Sequence, residues 1–290
     1  YSGVHKQRVL QNLALYSQDN ANQQQQDRRS LPYEVVLEQV KQVLPSLNLE
    51  PKEADSIVNE IVDRSGLLLR IDGGQRYQFS HLTLQEYFVA AALRDSQDEL
   101  IQRWQNAPSD WREIVKLWCG LANNSTTLIK TLYQNDPLIG FECLADAQEV
   151  DPEVAQQVID YFKGHLEQEE DEEILRAFGS VAADLQRSRG RELFEFLADK
   201  LVKGESLASR KVAAQALSLT NLPEATERLA QLYNNDEVTV REALIRMGNL
   251  AVPQLKLLAE QGKLAALEDL KRIATPEAAL TLVPFLWDSR

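Results

Sequence analysis

The sequence has few of the features that mark secreted, membrane-spanning or metal-binding proteins. Only two cysteines occur among 290 residues, Cys119 and Cys143, and their spacing fits neither a disulfide framework nor a metal site. No apolar run approaches the ~20 residues that cross a bilayer, and no signal peptide is visible. We therefore expect a cytoplasmic protein with reduced thiols and no membrane partner.

The motifs of catalysis are also missing. The sequence contains no phosphate-binding loop of the form G-x-x-x-x-G-K-[ST] and no nucleophile elbow of the form G-x-S-x-G. The three histidines, His5, His81 and His165, are far apart, and none belongs to an H-E-x-x-H pair. We expect this chain to have no catalytic residue, no metal ligand and no enzymatic activity of its own.

Positive charge is scarce. There are 31 Lys and Arg residues against 44 Asp and Glu residues, which gives a formal net charge of -13. Nucleic acids and anionic membrane surfaces attract cationic surfaces, so this balance argues against both partners. We expect no nucleic-acid partner.

The first part of the chain has the pattern of three helices. Apolar residues recur at helical spacing in residues 3–16, between Pro32 and Pro45, and in residues 51–64. Gly66 is placed as the C-cap of the third helix. The polar stretch of residues 17–30, with four successive glutamines, predicts a surface loop between the first two helices.

A β-hairpin is predicted to follow these helices. Leu67, Leu69 and Ile71 alternate as in a strand, a turn comes at residues 72–74, and alternating aromatic residues follow at positions 77 and 79. Three helices and a hairpin make a winged helix. Such domains can bind DNA, yet the third helix carries two cations against four acids, a local net charge of 2 − 4 = -2. This sign is unfavourable for phosphate contacts.

The stretch of residues 79–93 joins the hairpin to an amphipathic helix. Thr83 is predicted to be the N-cap, with Glu86 completing a capping box and Leu82 and Tyr87 forming a hydrophobic staple. His81 lies just before this cap, on a corner beside a helix N-terminus. The free N–H groups of such a terminus attract anions. An alternative is that the imidazole only hydrogen-bonds a local carbonyl and stabilises the corner.

This stretch resembles a known signature, F-x-H-x-[ST]-[FL]-Q-E-[YF]-[FL]-x-A, which closes the winged-helix domain of NACHT-type signalling NTPases of the STAND class. The positions that fit are Phe79, His81, Thr83, Gln85, Glu86, Tyr87, Phe88 and Ala90. In that family the histidine contacts the β-phosphate of bound ADP in the resting state. The resemblance therefore implies that His81 binds ADP once a nucleotide-binding domain is present. Gln85, Glu86, Tyr87 and Phe88 are better explained by capping and packing.

The same resemblance implies partners outside the sequence. The sequence begins at Tyr1 rather than Met, and we expect a fragment of a longer NTPase. An upstream nucleotide-binding domain of the same chain would supply the phosphate-binding loop. ADP or ATP with magnesium is expected in that full-length protein, together with an oligomer on activation. The purpose that the family implies is stress or pathogen sensing, including bacterial defence against phage.

Beyond Leu93 the pattern is almost entirely helical. Asp110 is predicted to cap a helix, with Glu113 at the capping-box position and a buried stripe at positions 111, 114, 115 and 118. Asp136-Pro137 and Asp151-Pro152 are predicted helix starts. Six of the seven residues 167–173 are acidic, which is typical of a solvated turn and a helix N-terminus. They lack the spacing of a calcium loop.

The last third of the chain shows a weak internal repeat. Pro223, Pro253 and Pro276 each stand at the head of a second helix, 30 and 23 residues apart. The first helices of the three pairs are predicted over residues 212–219, 240–247 and 264–273. The spacing is shorter than the ~40–47 residues of full HEAT units, and the pattern resembles a degenerate HEAT-like solenoid.

Together these observations predict a mainly α protein: a winged helix with a small β-hairpin, followed by an α-solenoid of HEAT-like repeats. The predicted domains are a winged helix over residues 1–93, a helical connector over 94–165 and the repeats over 166–290. The predicted function is the regulatory and sensor region of a NACHT-type NTPase. In this hypothesis the winged helix stabilises the ADP-bound state and the repeats bind an unknown protein trigger. The alternatives are a helical-repeat scaffold with no nucleotide role and a DNA-binding regulator.

Overall fold

The computed structural model describes residues 1–20, 30–166, 171–234 and 238–287. The chain divides into two compact units. The first unit comprises Tyr1–Leu128 and Asp146–Glu149, and the second comprises Ile129–Ala145 and Val150–Arg290.

The first unit contains six helices, three short strands and the start of a seventh helix within the described residues. The helices are α1 (Gly3–Asp19), α2 (Tyr33–Val43), α3 (Ala54–Ser65), α4 (Leu82–Ala92), α5 (Gln97–Asn106), α6 (Pro108–Leu121) and α7 (Thr126–Asn135). The strands are β1 (Ser30–Pro32), β2 (Leu68–Ile71) and β3 (Arg76–Phe79). Short 3₁₀ turns cover Leu44–Leu47, Pro51–Glu53 and Asp72–Gly74.

The three predicted helices of the winged helix are confirmed. Helix α1 packs on α2 and α4, and α2 packs on α3. Their buried faces are apolar: Leu13 of α1, Val40 of α2 and Ile61 of α3 are each 0% exposed. Helix α3 ends at Gly66, whose φ of 64° gives the left-handed C-cap that glycine adopts without a steric cost.

The sheet has one strand more than predicted. Its three antiparallel strands lie in the order β1-β3-β2, with Ser30 opposite Gln78. The loop predicted over residues 17–30 is wrong at both ends, because α1 continues to Asp19 and β1 begins at Ser30. Residues 21–29 lie outside the described part of the chain. A three-residue strand ending in a proline shows no alternation, so only its long-range pairing identifies it. Arg76 strengthens that pairing, since its guanidinium donates to the carbonyl oxygen of Ser30 over 3.0 Å.

The buried face of β2 is defined by its partner strand. Leu68 pairs with Phe79 and is 2% exposed, because directly paired residues lie on the same face and Phe79 is buried. Leu69 points the other way and is 38% exposed. The alternation of Leu67, Leu69 and Ile71 therefore marks the outer face of this strand.

Helix α6 packs against α4 within the first unit. The indole N–H of Trp118 donates a buried hydrogen bond of 2.8 Å to the carbonyl oxygen of Leu93, the C-cap of α4. The predicted buried stripe of α6 is confirmed. Its predicted N-cap was wrong: Asp110 lies inside the helix, whose N-cap is Ala107. Pro108, with its φ already fixed at a helical value, starts the helix earlier.

The second unit is made of helices throughout its described residues. These are α8 (Pro137–Asp146), α9 (Pro152–His165), α10 (Glu172–Ala182), α11 (Ser188–Lys203), α12 (Leu207–Ser218), α13 (Pro223–Gln231), α14 (Val238–Arg246), α15 (Val252–Glu260), α16 (Ala265–Ile273) and α17 (Pro276–Leu282). Two 3₁₀ turns cover Gly248–Ala251 and Val283–Trp287.

Aspartates cap several of these helices, as predicted. The side chain of Asp136 accepts from the N–H of Leu138, and that of Asp151 accepts from the N–H of Glu153. Asp171 caps α10 in the same way. The acidic stretch therefore includes a helix N-terminus, where negative charge is favourable. Residues 167–170 of that stretch lie outside the described residues.

The predicted pairing of the last six helices is confirmed. Pro223, Pro253 and Pro276 lie in the first turns of α13, α15 and α17. The first helices α12, α14 and α16 pack in one row, and the second helices α13, α15 and α17 pack in another. The fold is thus mainly α, a winged helix followed by a helical solenoid.

A buried ion pair links two consecutive repeats of this solenoid. Asp269 on α16 is 0% exposed and accepts two hydrogen bonds at 2.8 and 3.0 Å from the guanidinium of Arg241 on α14. It also accepts a hydrogen bond of 2.7 Å from the hydroxyl of Tyr233, just after α13. Burial and the Asp269 carboxylate raise the pKa of Tyr233, so the phenol remains a neutral donor.

Replacing Asp269 by alanine should destabilise the second unit by about 3 kcal/mol, because the Arg241 side chain, which is only 16% exposed, would lose its buried counterion. The matched control is Glu268→Ala. Glu268 also faces Arg241, at 3.4 Å, but its side chain is 76% exposed, so its loss should cost under about 0.5 kcal/mol. Urea unfolding followed by far-UV circular dichroism measures both. Equal losses in the two variants would contradict the structural role of the buried pair.

The turns between the two helices of each repeat share a left-handed residue: Asn221 (φ 53°), Gly248 (φ 59°) and Ala274 (φ 55°). An alanine is strained there. Ala274→Gly should therefore stabilise the solenoid by up to about 1 kcal/mol. The same change at the exposed Ala279 inside α17 should destabilise it by about 0.5–1 kcal/mol. Differential scanning calorimetry would report opposite shifts of Tm; shifts of the same sign would refute this account of the turn.

Candidate functional site at the start of helix α4

The corner between β3 and α4 is only two residues long. Strand β3 ends at Phe79, α4 begins at Leu82, and Ser80 and His81 lie between them. The N–H of Ser80 donates to the carbonyl oxygen of Leu67 over 3.0 Å, which extends the sheet pairing past the end of the strand. His81 is therefore attached directly to two regular elements rather than to a long loop.

His81 itself is the N-cap of α4. Its backbone is extended (φ -140°, ψ 144°), and its carbonyl oxygen accepts from the N–H groups of Leu84 at 3.2 Å and Gln85 at 3.3 Å. Its side chain makes no capping hydrogen bond. The imidazole is thus not used to start the helix, although the backbone of the same residue is.

The predicted capping box was wrong. Thr83 lies inside the first turn rather than at the N-cap, and Glu86 is only 8% exposed, in the middle of the packed helix. The helix starts earlier because the first helical hydrogen bonds close onto the carbonyl of His81. The predicted staple between Leu82 and Tyr87 required the later start and is not the arrangement found.

The imidazole of His81 is exposed. Across residues 1–20, 30–166, 171–234 and 238–287, no group forms a hydrogen bond or an ion pair with this ring. A neutral or protonated imidazole can donate to an anion, and an exposed one keeps that capacity available. The ring is therefore accessible to a ligand or to a neighbouring domain.

The other motif residues divide between core and surface. Gln85, Glu86 and Phe88 are buried, and the ring of Phe88 lies 6.0 Å from that of Phe79, which fixes the helix against the sheet. Packing, as predicted, is the role of these buried side chains. Tyr87 is 37% exposed and contacts Phe88 edge-on at 5.6 Å. Tyr87 and Thr83 are one helical turn apart and share the exposed side of α4.

The outer face of α3 has the opposite character from a DNA-binding helix. Asp55 accepts from the hydroxyl of Tyr33 at 2.5 Å, and this hydrogen bond raises the pKa of Tyr33 to about 12. The nearby cation, Arg70 of β2, donates to Asn59 at 2.6 Å and lies 3.5 Å from the carboxylate of Asp63. The acids of this face thus engage the guanidinium that a phosphate would need.

Metal-binding clusters and membrane-spanning helices are both absent from the described residues. No group of three or more His, Cys, Asp or Glu side chains among them is arranged to hold a metal ion. Helices long and apolar enough to cross a bilayer are likewise absent from those parts of the chain. Cys119 and Cys143 are both buried, and neither forms a disulfide.

These elements define the class of the first unit. Three helices, a three-stranded antiparallel sheet and a helix that follows the last strand form a winged helix, the class that the sequence pattern predicted. Residues 2–93 match the family model of the winged helix-turn-helix domain C-terminal to NACHT. This part of the chain is therefore a winged-helix domain of a NACHT protein. No curated protein and no solved structure matches the chain.

Because the imidazole of His81 makes no hydrogen bond, we expect His81→Ala to change the stability of the first unit by less than about 0.5 kcal/mol. Tryptophan fluorescence during urea unfolding reports mainly on this unit, which contains Trp104, Trp111 and Trp118. Phe88→Ala serves as the positive control and should cost about 3–5 kcal/mol. A loss above about 1 kcal/mol in the histidine variant would instead assign His81 a structural role.

Proposed function

We propose that this chain is the regulatory and sensor region of a NACHT-type signal-transduction NTPase. The winged helix stabilises the ADP-bound resting state, and the helical repeats bind a protein trigger. A winged-helix domain C-terminal to NACHT has the NACHT domain upstream in the same chain. That domain would supply the phosphate-binding loop and bind ADP or ATP with magnesium. The 290 residues themselves carry no such loop and are not proposed to be catalytic.

The observation that carries this proposal is the exposed, unengaged imidazole of His81 on a rigid corner of the matched domain. It lies at the N-terminus of an 11-residue helix, where the first N–H groups have no intrahelical acceptor. An imidazole donor and a helix N-terminus both favour an anion such as the β-phosphate of ADP. In this proposal His81 binds that phosphate directly and stabilises the closed resting state.

The repeats would act on the same equilibrium from a distance. A trigger that binds the HEAT-like solenoid favours the open, nucleotide-exchanging state only by the difference between its affinities for the two states. Activation would then allow the full-length protein to form an oligomer. A cytoplasmic location and a role in bacterial defence follow from the same proposal.

The test is the nucleotide content of the full-length parent, purified as wild type and as His81→Ala and analysed by chromatography after denaturation. We expect wild type to retain ADP and His81→Ala to lose at least about nine-tenths of it, since one hydrogen bond to a charged group is worth ~1.5–3 kcal/mol. The matched control is His165→Ala, the same substitution in a histidine of the second unit, which should leave the ADP content unchanged.

Three outcomes would contradict the proposal. Equal nucleotide content in wild type and His81→Ala would show that the imidazole does not hold ADP. No nucleotide in either protein would favour a helical-repeat scaffold with no nucleotide role. Salt-sensitive binding of duplex DNA by the winged helix, with no ADP effect, would favour the DNA-binding alternative.

A further inference from the structure

A groove on the first-helix row of the solenoid collects positive charge. Helices α12, α14 and α16 line the groove, which has a volume of ≈ 270 Å³. One cation comes from each helix: Lys211, Arg246 and Arg272. Glu242 is the only acid among the lining residues that the structure describes, so these residues carry a net charge of 3 − 1 = +2. This sign is opposite to the net charge of -13 of the whole chain.

Two of these cations have no counterion in the part of the chain that the structure describes. Across the described residues, the guanidinium groups of Arg246 and Arg272 form no hydrogen bond and no ion pair. By contrast, Arg228 donates to Glu195 at 2.9 Å, and Arg241 is bound to Asp269. These two arginines lie in the last turns of α14 and α16, where the helix dipole stabilises a cation. The dipole explains their position but leaves their N–H donors unused.

The shape of the groove favours side chains of a peptide over a small molecule. Ligand pockets for small molecules enclose about 300–1,000 Å³ and bury most of the ligand, whereas this groove is smaller and open. Ser218 and Ala243 form a buried floor, and Gln215 and Thr239 add half-buried polar groups along it. Adjacent packed helices lie about 8–10 Å apart. Alternate side chains of an extended peptide lie about 6.6 Å apart, so two carboxylates of one peptide can reach both arginines.

Charge and lining argue against nucleic acid as the occupant. Aromatic side chains, on which single-stranded bases stack, are absent from the lining residues of this groove. A long polyanion would also meet the negative charge of the remainder of the protein. A short acidic peptide avoids both difficulties.

We propose that the groove between α12, α14 and α16 binds an acidic segment of a protein partner, with its carboxylates paired to Arg246 and Arg272. This deepens the proposed function by giving the chemistry of the trigger. It rests on the repeats being the partner-binding surface and is independent of His81. An arginine guanidinium can bind a carboxylate in a bidentate geometry, which favours this pairing.

The test uses the 290-residue chain and a fluorescein-labelled short peptide of alternating Glu and Ser, with affinity measured by fluorescence anisotropy. A peptide with Gln in place of Glu should bind at least about tenfold more weakly. The double variant Arg246→Gln/Arg272→Gln should also lose about tenfold, because exposed pairs contribute up to ~1 kcal/mol each. The control Lys203→Gln/Lys256→Gln makes the same change of charge on exposed side chains outside the groove and should retain the affinity.

A variant that binds the peptide more tightly would distinguish this proposal from a loss of affinity caused by destabilisation. Glu242 is exposed in the groove and repels an acidic peptide, so Glu242→Gln should tighten binding about two- to fivefold. The thermal unfolding of each variant, followed by circular dichroism, establishes that the fold is retained. Loss of folding cannot produce tighter binding.

Several outcomes would overturn the proposal. These are equal binding of the Glu and Gln peptides, equal losses in the groove and control variants, or no tightening in Glu242→Gln. Stronger binding of a single-stranded oligonucleotide than of the peptide, lost in the groove variants, would assign the groove to nucleic acid. The peptide assay needs no nucleotide domain, so a negative result in it would not change the ADP result of His81→Ala. A negative result in the ADP test would likewise not change the result for the groove.

Discussion

The packing of α4 is the constraint on which the first unit depends. This helix lies against both α1 and α6, and Trp118 closes its C-terminal end with a buried hydrogen bond to Leu93. The two-residue corner ties its N-terminal end to β3, and contact of Phe88 with Phe79 packs its middle against the sheet. A helix held at both ends leaves little freedom for the residue at its N-cap. The backbone of His81 therefore has a defined position, from which the exposed imidazole can reach a phosphate oxygen.

The second unit depends on repetition instead. Each first helix packs on the next first helix, and each second helix on the next second helix, so neighbours supply the core that a single pair cannot bury. The buried pair of Asp269 and Arg241 links successive first helices at one level. The free Arg246 and Arg272 lie on the same two helices. One pair of helices thus carries both an internal ion pair and an unsatisfied cationic surface. We propose that a partner binds this cationic surface.

Much of this architecture could be predicted because its signals are local. Prolines at 223, 253 and 276 mark helix starts through their fixed φ, and the apolar spacing of α1, α2 and α3 identifies their buried faces. Strand β1 could not be predicted, since three residues acquire strand geometry only from a partner 44 to 48 positions away. The predicted N-caps at Thr83 and Asp110 were wrong, because both helices begin earlier than predicted. Tertiary contacts favour the earlier start of α4, and Pro108 favours that of α6. The cationic groove combines residues from three helices and appears only once they stack.

The central claim is that His81 contacts the β-phosphate of ADP in the resting protein. A structure of the full-length parent with bound ADP tests it most directly. Our account predicts an imidazole nitrogen within about 2.7–3.2 Å of a β-phosphate oxygen, with α4 starting at Leu82 as it does here. An imidazole more than about 6 Å from every phosphate oxygen, with ADP held by the nucleotide domain alone, would contradict it.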